Sequence, residues 1–349
     1  MRGKHLDETI ATFLIQDGVT NGAVYALLGL AIVLVFSVTR VIFIPQGEFV
    51  AHGALTLAML DAGRVPGTTK LLLCFGAVGF LLDLWRMRQD ARLTHLLRSI
   101  AVNLLLPGVV YGLVLVLAPL QLPSFVRAAI TIAIIAPMGY YVYRIAYRPL
   151  ADASVLVLLI ASIGVHLAIV GLGLIFFGPE GFRAAPLDDS SFTLGPMLVT
   201  VQSLMIYVAT ILIMVGLYIF FDKTLFGKAL KATAVNRLGA RLVGVRTELT
   251  GATAFVMAAA IAAISGVLIG PITTIYYDTG FLIGLKGFVA AILGGMVSFP
   301  VTAIAAIGVG LVESFASFFA SDFKEIIVFG LIVPVLIWLS FGASHHEEE

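Results

Sequence analysis

The sequence predicts an all-α, polytopic integral membrane protein with about 9–11 transmembrane helices, some of them broken or short. The first reason is composition: 60% of the 349 residues are apolar and 12% are charged, whereas a soluble domain carries about 25% charged residues. The second is that mostly apolar stretches of about 17 to 25 residues recur along the chain, the length of a helix that crosses lipid. The third is that these stretches lack the strict alternation of a β-barrel, which leaves helices as the spanning elements.

The candidate spans, about eleven in number, follow one another with short polar connections, and we treat 1–349 as a single transmembrane domain. They lie near 19–38, 41–60, 70–85, 99–118, 125–143, 153–177, 202–221, 251–270, 281–297, 301–319 and 325–341.

Basic residues crowd three of the connections and predict the orientation. They are Arg86, Arg88, Arg92 and Arg98, then Arg144 and Arg148, then Lys223, Lys228, Lys231, Arg237, Arg241 and Arg246. Because cytoplasmic connections carry an excess of Lys and Arg, these three face the cytoplasm. The connections near 61–69, 119–124, 178–200 and 271–280 then lie outside. Segment 178–200 is either a lid or docking surface for an external partner, or a solvated loop.

Motifs for enzymes, metals and nucleotides are missing from the sequence. No Gly-x-x-x-x-Gly-Lys-Ser/Thr loop, His-Glu-x-x-His string or Gly-x-Ser-x-Gly elbow occurs. The six histidines are scattered along the chain, and Cys74 is the only cysteine. The sequence therefore predicts no catalytic residue, metal or cofactor, and no ATP site of its own. The net charge of +1 gives no reason to expect a nucleic-acid partner.

Polar residues inside apolar runs are the candidate site residues, because each is costly in lipid unless it faces protein or water. Glu48 and His52 are four residues apart and share one helical face, and Pro45 with Gly47 breaks the helix just before them. A broken helix exposes backbone groups and a dipole end that can hold a zwitterion. Either this face lines a translocation pathway, or Glu48 is a solvated helix start near Arg40.

Four further polar residues have two readings each. Asn21 and Tyr25 share a face at the start of the first span, and they either line the pathway or hydrogen-bond a neighbouring helix. His166 is expected to make an interhelical hydrogen bond rather than to act as a ligand. Lys286 either snorkels outward or turns inward to meet a substrate carboxylate or Glu313.

The cytoplasmic segment 222–250 contains a predicted surface helix over 228–245. Small and apolar residues alternate there with cations, which is typical of an amphipathic helix on a membrane surface. Ala234, Leu238 and Arg241 share one face, and Gly227 and Gly244 bound the helix. The segment is either a handle for a cytoplasmic partner or a passive linker held on anionic lipid.

Sequence strings along the whole chain carry a resemblance. The first third has NGAVYALLGLAIVLVF at 21–36 and IPQGEFVAHGALTLAM at 44–59, and the middle has YRPL at 147–150 and LIASIGVHLAIVGLGLIFFG at 159–178. The last third has KALKATAVNRLGARLVGV at 228–245, AFVMAAAIAAISGVLIGP at 254–271 and GLKGFVAAILGGMVSFP at 284–300, with Glu313 following. In this order and spacing the chain resembles the permease subunits of Liv-type ABC importers.

The chain departs from that family at three places. Pro45 and Gln46 replace a usual Ala and His, and Val235 and Asn236 stand where the family's coupling segment has an acidic pair. The stretch from about 70 to 120, with its Arg-rich loop, looks like an added helical hairpin.

The resemblance implies a multi-pass permease subunit of an ABC importer in the bacterial inner membrane, forming the pathway for branched-chain or related small amino acids. It implies cytoplasmic ATPase subunits that bind the ATP, a second permease subunit, identical or a sister, a periplasmic or extracellular substrate-binding protein, and membrane lipid. It places the ATPase contact at Ala234, Leu238, Arg241 and Gly244. From composition alone the alternative is an ion-coupled secondary transporter, which would need Glu48, Asp83 or Glu313 for coupling.

Overall fold

The computed structural model describes residues 7–87, 93–120, 122–194 and 197–343, and most of them are helical. The helices are α1 Glu8–Thr39, α2 Gln46–Asp61, α3 Gly67–Met87, α4 Leu93–Leu117, α5 Ser124–Leu150, α6 Val155–Phe177, α7 Val201–Lys223, α8 Leu225–Val235, α9 Arg237–Leu242, α10 Thr247–Ile269, α11 Gly280–Leu293, α12 Phe299–Phe319, α13 Lys324–Gly330 and α14 Ile332–Ala343. Helix α4 contains a π-helical turn at Ala101–Leu105, and α5 ends in a π-helical turn at Tyr143–Tyr147 and a 3-10 turn at Arg148–Leu150. Strands β1 Ser191–Leu194 and β2 Met197–Thr200 pair antiparallel, with Ser191 opposite Thr200.

The predicted membrane architecture is confirmed. Within the described residues, eight helices are long and apolar enough to cross a membrane, namely α1, α3, α4, α5, α6, α7, α10 and α12. The other three predicted spans are short or interrupted: α2 has 16 residues, α11 has 14, and the last is divided between α13 and α14. The all-α class with some broken or short helices is therefore correct.

Side-chain caps explain where several helices begin. The hydroxyls of Ser154 and Ser298 accept hydrogen bonds from the backbone N–H groups of Val157 and Val301, at the starts of α6 and α12. Helix α6 ends at Gly178, whose φ of 81° is a conformation that side-chain-bearing residues rarely adopt. These residues satisfy backbone groups that a helix end would otherwise leave unpaired.

The chain packs as two compact units, with boundaries inside α1, α7 and α11. The first unit comprises Met1–Val33, Asp188–Val215 and Leu285–Glu349, and the second comprises Leu34–Leu187 and Gly216–Gly284. In the first unit, α1 and α12 touch through backbone atoms, because a Cβ added at Gly310 would lie 2.3 Å from the carbonyl oxygen of Gly18. Such close approach needs small residues at the contact.

Helix α10 forms the centre of the second unit, where it packs against α2 and α5. Its buried face consists largely of alanine and glycine, so neighbouring backbones come close. An aromatic cluster fills the space at one end: the Phe255 ring lies 4.8 Å from that of Phe43 and 5.0 Å from that of Tyr147. This core fixes the position of the loop between α1 and α2.

Connections predicted to be external meet at one end of the second unit. Asp61 at the end of α2 pairs with Arg127 at the start of α5, 3.1 Å away, and its carboxylate accepts a hydrogen bond from the backbone N–H of Ala185. Phe182 and Ile275 exchange two backbone hydrogen bonds of 2.9 Å. Segment 178–187 is therefore tied to the connection after α10 rather than standing free in solvent.

Connections predicted to be cytoplasmic meet at the other end of the second unit. Arg148 pairs with Glu248 at 2.7 Å, and Arg241 reaches Asp152 at 3.5 Å. Arg127 and Arg144 lie near opposite ends of α5, so the two groups of connections occupy opposite ends of this unit. The two predicted sets of connections are thus separated, and the basic residues predict which set is cytoplasmic.

The predicted continuous helix over 228–245 is wrong. The structure has two helices, α8 and α9, with Asn236 between them in an extended conformation. Asn236 accepts a hydrogen bond from the N–H of Gly239 and thereby caps α9, so its side chain competes with continuation of α8. Helix α8 also begins at Leu225, after the Thr224 cap, so Gly227 lies inside its first turn.

Candidate functional site

The first turn of α2 carries the strongest candidate site residue. Helix α1 ends at Thr39, the chain runs without helix to Pro45, and α2 begins at Gln46. The predicted break before Glu48 is therefore confirmed. Glu48 is fully buried, which excludes the solvated helix start. As a carboxylate in the first helical turn, it lies where the helix dipole stabilises negative charge.

A second helix start meets α2 at this point. A Cβ added at Gly47 would lie 1.9 Å from the carbonyl oxygen of Gly280, and one added at Gly280 would lie 2.8 Å from Cα of Glu48. Gly280 is the first residue of α11. The N-terminal ends of α2 and α11, each with a partial positive charge, therefore converge at the backbone of Gly47 and Glu48.

The Glu48 carboxylate faces a histidine of another helix. Its Oε1 atom lies 2.8 Å from Nδ1 of His166 on α6, and the His166 ring packs 4.7 Å from the ring of Phe281. Neither carboxylate oxygen of Glu48 has a hydrogen-bond donor with good geometry among the described residues. His166, predicted to make an interhelical contact, is thus the partner of the most buried carboxylate of the site.

His52 lies one helical turn after Glu48 and is fully buried. Its ring stacks on Phe177 of α6 with 5.4 Å between centroids, and a Cβ on Gly173 would approach Nε2 to 3.4 Å. Both ring nitrogens lack hydrogen-bond partners within the described part of the chain. A buried polar group without a partner costs free energy, so these nitrogens are available for a ligand or water.

Asn21 and Tyr25, the other predicted pathway residues, lie in the first unit. They sit well inside α1, which begins at Glu8 rather than near residue 19. The Asn21 side-chain amide donates to Asp17 at 3.4 Å. The Tyr25 hydroxyl donates to Glu313 of α12 at 2.5 Å, and Tyr25 is 5% exposed. Of the two alternatives for Tyr25, lining the pathway or hydrogen-bonding a neighbouring helix, the structure shows the hydrogen bond.

Lys286 turns inward and joins Tyr25 in a buried network of the first unit. Its ammonium group forms an ion pair with Glu313 and lies 3.3 Å from Glu325. It also lies 5.8 Å from the centre of the Tyr25 ring. The outward, snorkelling position of Lys286 is thus not the one found.

The four predicted coupling residues lie on α8, on α9 and just after α9. Ala234 is half-buried on α8, whereas Leu238 on α9 is 68% exposed. Because α8 and α9 are separate, Ala234 does not share a continuous helical face with Leu238 and Arg241. Arg241 donates to the Thr247 hydroxyl and reaches Asp152, so its guanidinium holds α9 to its own unit. Gly244, with φ of 87°, ends α9 as predicted.

A polar cluster around Arg144 was not predicted from the sequence. Arg144, which we assigned to a cytoplasmic connection, lies on α5 and forms an ion pair with Asp83 of α3. It also donates to Asn103 of α4 at 2.8 Å, and Ser99 donates to Asp83 at 2.6 Å. The only available signal was one acidic residue near the end of a span, without any indication of its partner.

Comparison with known proteins identifies the family. A family model described as "Branched-chain amino acid transport system / permease component" matches residues 14–336. The high-affinity branched-chain amino acid transport system permease protein BraD of Pseudomonas aeruginosa is 31% identical over 231 residues, covering 64% of this chain and 75% of BraD. The corresponding permease protein LivH of Escherichia coli K12 is 27% identical over 346 residues, covering 97% of each chain.

A shorter match is the autoinducer 2 import system permease protein LsrC of Yersinia enterocolitica, 30% identical over 139 residues, or 40% of this chain and 38% of LsrC. No solved structure matches the chain significantly. The family match and the membrane-crossing helices agree with the resemblance in the sequence. The chain belongs to the branched-chain amino acid transport permease family and is a multi-pass inner-membrane permease subunit of an ABC importer, a transport subunit rather than an enzyme.

Proposed function

We propose that this permease forms part of the pathway for branched-chain or related small amino acids, with Glu48 and His52 lining it. The named relatives BraD and LivH belong to branched-chain amino acid systems. A small amino acid at neutral pH carries a carboxylate, an ammonium group and an aliphatic side chain. A site for it needs a cationic end, an anionic end and apolar surroundings.

The observation that carries this proposal is the unpaired, fully buried His52 one turn from Glu48. The converging starts of α2 and α11, marked by Gly47 and Gly280, supply partial positive charge for a carboxylate. The Glu48 carboxylate supplies the negative charge for an ammonium group, with His166 as its partner when no substrate is present. The His52 nitrogens supply additional hydrogen bonds.

Separate ATPase subunits complete the proposal on the cytoplasmic side. The chain has no phosphate-binding loop of its own. Helix α9 and its end expose Leu238, Leu242 and Val243, with Leu242 81% exposed. Exposed apolar side chains beside cations mark a surface that a partner protein or lipid covers. We assign the ATPase contact to this surface. Of the predicted coupling residues, Leu238 and Gly244 remain part of the contact, and Arg241 holds α9 in position.

Two further partners belong to the proposal. A second permease subunit, identical or a sister, pairs with this chain in the membrane, and a soluble binding protein delivers the amino acid from outside. Membership of an ABC importer family supports a binding-protein partner in general terms, and the second permease subunit is part of our proposal. The end of the second unit that carries both Asp61 and Ala185 is the external one in this proposal. The binding protein docks at that end.

Uptake by cells and identification of bound subunits test the proposal together. The tagged permease is purified in mild detergent from its native host, and the co-purifying proteins are identified by mass spectrometry. We expect an ATPase with a phosphate-binding loop and a second permease. In parallel, uptake of labelled leucine, isoleucine and valine is compared between cells with and without the gene, with labelled autoinducer 2 as the non-amino-acid comparison.

Two outcomes would contradict the proposal. Uptake that continues after ATP depletion and stops with a protonophore would favour ion coupling instead. Unchanged amino-acid uptake in cells lacking the gene, with loss of autoinducer 2 uptake, would keep the transporter class and overturn the substrate.

A further inference from the structure

A cavity of about 530 Å³ opens at the cytoplasmic end of the second unit, away from Glu48 and His52. Its walls come from the ends of α3 and α5 and the starts of α4 and α10. Helices α3 and α4 form the hairpin that looks added relative to the family. The cavity therefore lies between this hairpin and helices α5 and α10.

The lining of this cavity carries more positive than negative charge. Arg86, Arg98, Arg144 and Arg148 face Asp83 and Glu248, and His95 lies at the same rim. Two of the arginines are neutralised, since Arg144 pairs with Asp83 and Arg148 with Glu248.

Arg86, His95 and Arg98 form the uncompensated rim of the cavity. None of the three has an acidic partner in the ranges that the structure describes. Guanidinium groups bind phosphate oxygens well, because their N–H groups form a rigid fork. The rim thus has the chemistry of an anion site with more than one phosphate-binding cation.

The outer faces of the two hairpin helices next to this rim are apolar. Trp85 is 68% exposed immediately before Arg86, and Leu93 and Leu97 are exposed on the same helix as His95 and Arg98. Exposed apolar residues on a membrane helix face acyl chains, whereas a soluble phosphate compound has no acyl chain to contact them. Tryptophan is also typical of the membrane interface, where headgroups lie.

We propose that this cavity binds the phosphate headgroup of an anionic phospholipid of the cytoplasmic leaflet, with Arg86 and Arg98 as its principal cations. Tyr140 and the paired Arg144 form the inner wall, and His95 closes the rim. Basic pockets between transmembrane helices on this side of a membrane suit acidic headgroups. The lipid then fills the gap between the hairpin and the rest of the second unit.

Trp85 provides a fluorescent probe beside the site. The chain has two tryptophans, Trp85 and Trp338, so Trp338→Phe leaves Trp85 alone. The full-length variant is placed in bilayers that contain either brominated phosphatidylglycerol or brominated phosphatidylcholine at equal mole fraction. We expect stronger quenching by phosphatidylglycerol, and a preference about fivefold weaker in Arg86→Gln or Arg98→Gln, since each surface charge contributes about 1 kcal/mol. If Trp338→Phe does not fold, the protein that keeps both tryptophans is used instead. Native mass spectrometry then measures the phosphatidylglycerol that it retains.

A matched variant controls for charge alone. Lys228→Gln with Lys231→Gln removes two exposed cations from the same end of the second unit, outside the cavity, and should leave the preference unchanged. Equal loss in this control would overturn the site in favour of general electrostatic attraction. A free phosphate is distinguished in delipidated detergent: phosphatidylglycerol should raise the melting temperature, and inorganic phosphate at matched ionic strength should not. An equal rise with inorganic phosphate would overturn the lipid assignment.

Discussion

Glu48 and His166 lie on different helices, 118 positions apart in the sequence, with Oε1 of Glu48 2.8 Å from Nδ1 of His166. The carboxylate is fully buried, and the imidazole is half-buried. A buried carboxylate persists only when its charge is compensated. Here the compensation comes from one histidine and two helix ends.

Glu48→Gln should lower amino-acid uptake about tenfold or more, because the site keeps its shape but loses the charge that binds an ammonium group. Uptake is measured per permease molecule in the membrane. Thr56→Val is the control: it changes another buried polar group of α2 whose hydroxyl bonds to the His52 carbonyl and lies 2.7 Å from the Thr68 hydroxyl. Normal uptake kinetics in Glu48→Gln would reduce the Glu48–His166 pair to a structural tie.

Lys286→Met should destabilise the protein by about 3–5 kcal/mol, since it leaves the buried Glu313 carboxylate without its cation. The double variant Lys286→Met with Glu313→Leu should recover part of this loss, because the charged pair is removed while the buried Tyr25 hydroxyl loses its acceptor. Thermal unfolding in detergent measures both. Equal melting temperatures for the single and double variants would show that the ion pair does not determine stability.

Gly47→Ala should prevent assembly of the second unit, because the new methyl group would lie 1.9 Å from the Gly280 carbonyl oxygen. Neither helix start can shift without disturbing Glu48. The control is Gly164→Ala on α6, where an added Cβ has no atom within 4 Å, and it should stabilise the helix by about 0.5–1 kcal/mol. The measured quantity is the amount of monodisperse protein after extraction. Normal yield of Gly47→Ala would contradict the close contact.

Leu238→Asp should uncouple transport from ATP hydrolysis, because a charge replaces an exposed apolar contact on α9. Substrate uptake and ATPase recovery in pull-downs should both fall, while the amount of permease in the membrane stays normal. Lys228→Gln with Lys231→Gln should have only a mild effect, because these lysines lie outside the proposed contact. A large effect would be expected if the segment were a passive linker held on anionic lipid by its charges. Unchanged uptake and ATPase recovery in Leu238→Asp would move the contact elsewhere.

Cysteine labelling tests the orientation. In a variant that lacks Cys74, a membrane-impermeant maleimide added to intact cells should label Ser190→Cys and leave Lys231→Cys, which lies outside the proposed ATPase contact, unlabelled until the cells are opened. Both positions are exposed, so accessibility depends on the side of the membrane. A buried position such as Thr233 would be protected on either side. The reverse pattern would invert the topology and place the α9 surface outside.

The spans and the break before Glu48 were predictable, because apolar length and a Pro-x-Gly pattern are local properties of the sequence. The partners of the polar residues were not. Tyr25 and Glu313 are 288 positions apart, and only the folded helices bring the hydroxyl to the carboxylate. The division between α8 and α9 had a local signal: Asn236 is a good helix cap, which the regular spacing of apolar residues concealed.

The contacts of Arg144 have a consequence for protein engineering. A shortened variant that lacks the α3–α4 hairpin would lose both Asp83 and Asn103, the groups that neutralise and hydrogen-bond this guanidinium. It would leave an always-ionised side chain near the end of α5 without its acidic partner. Deleting the hairpin should therefore be combined with a neutral substitution at Arg144, because the hairpin supplies both partners of this residue.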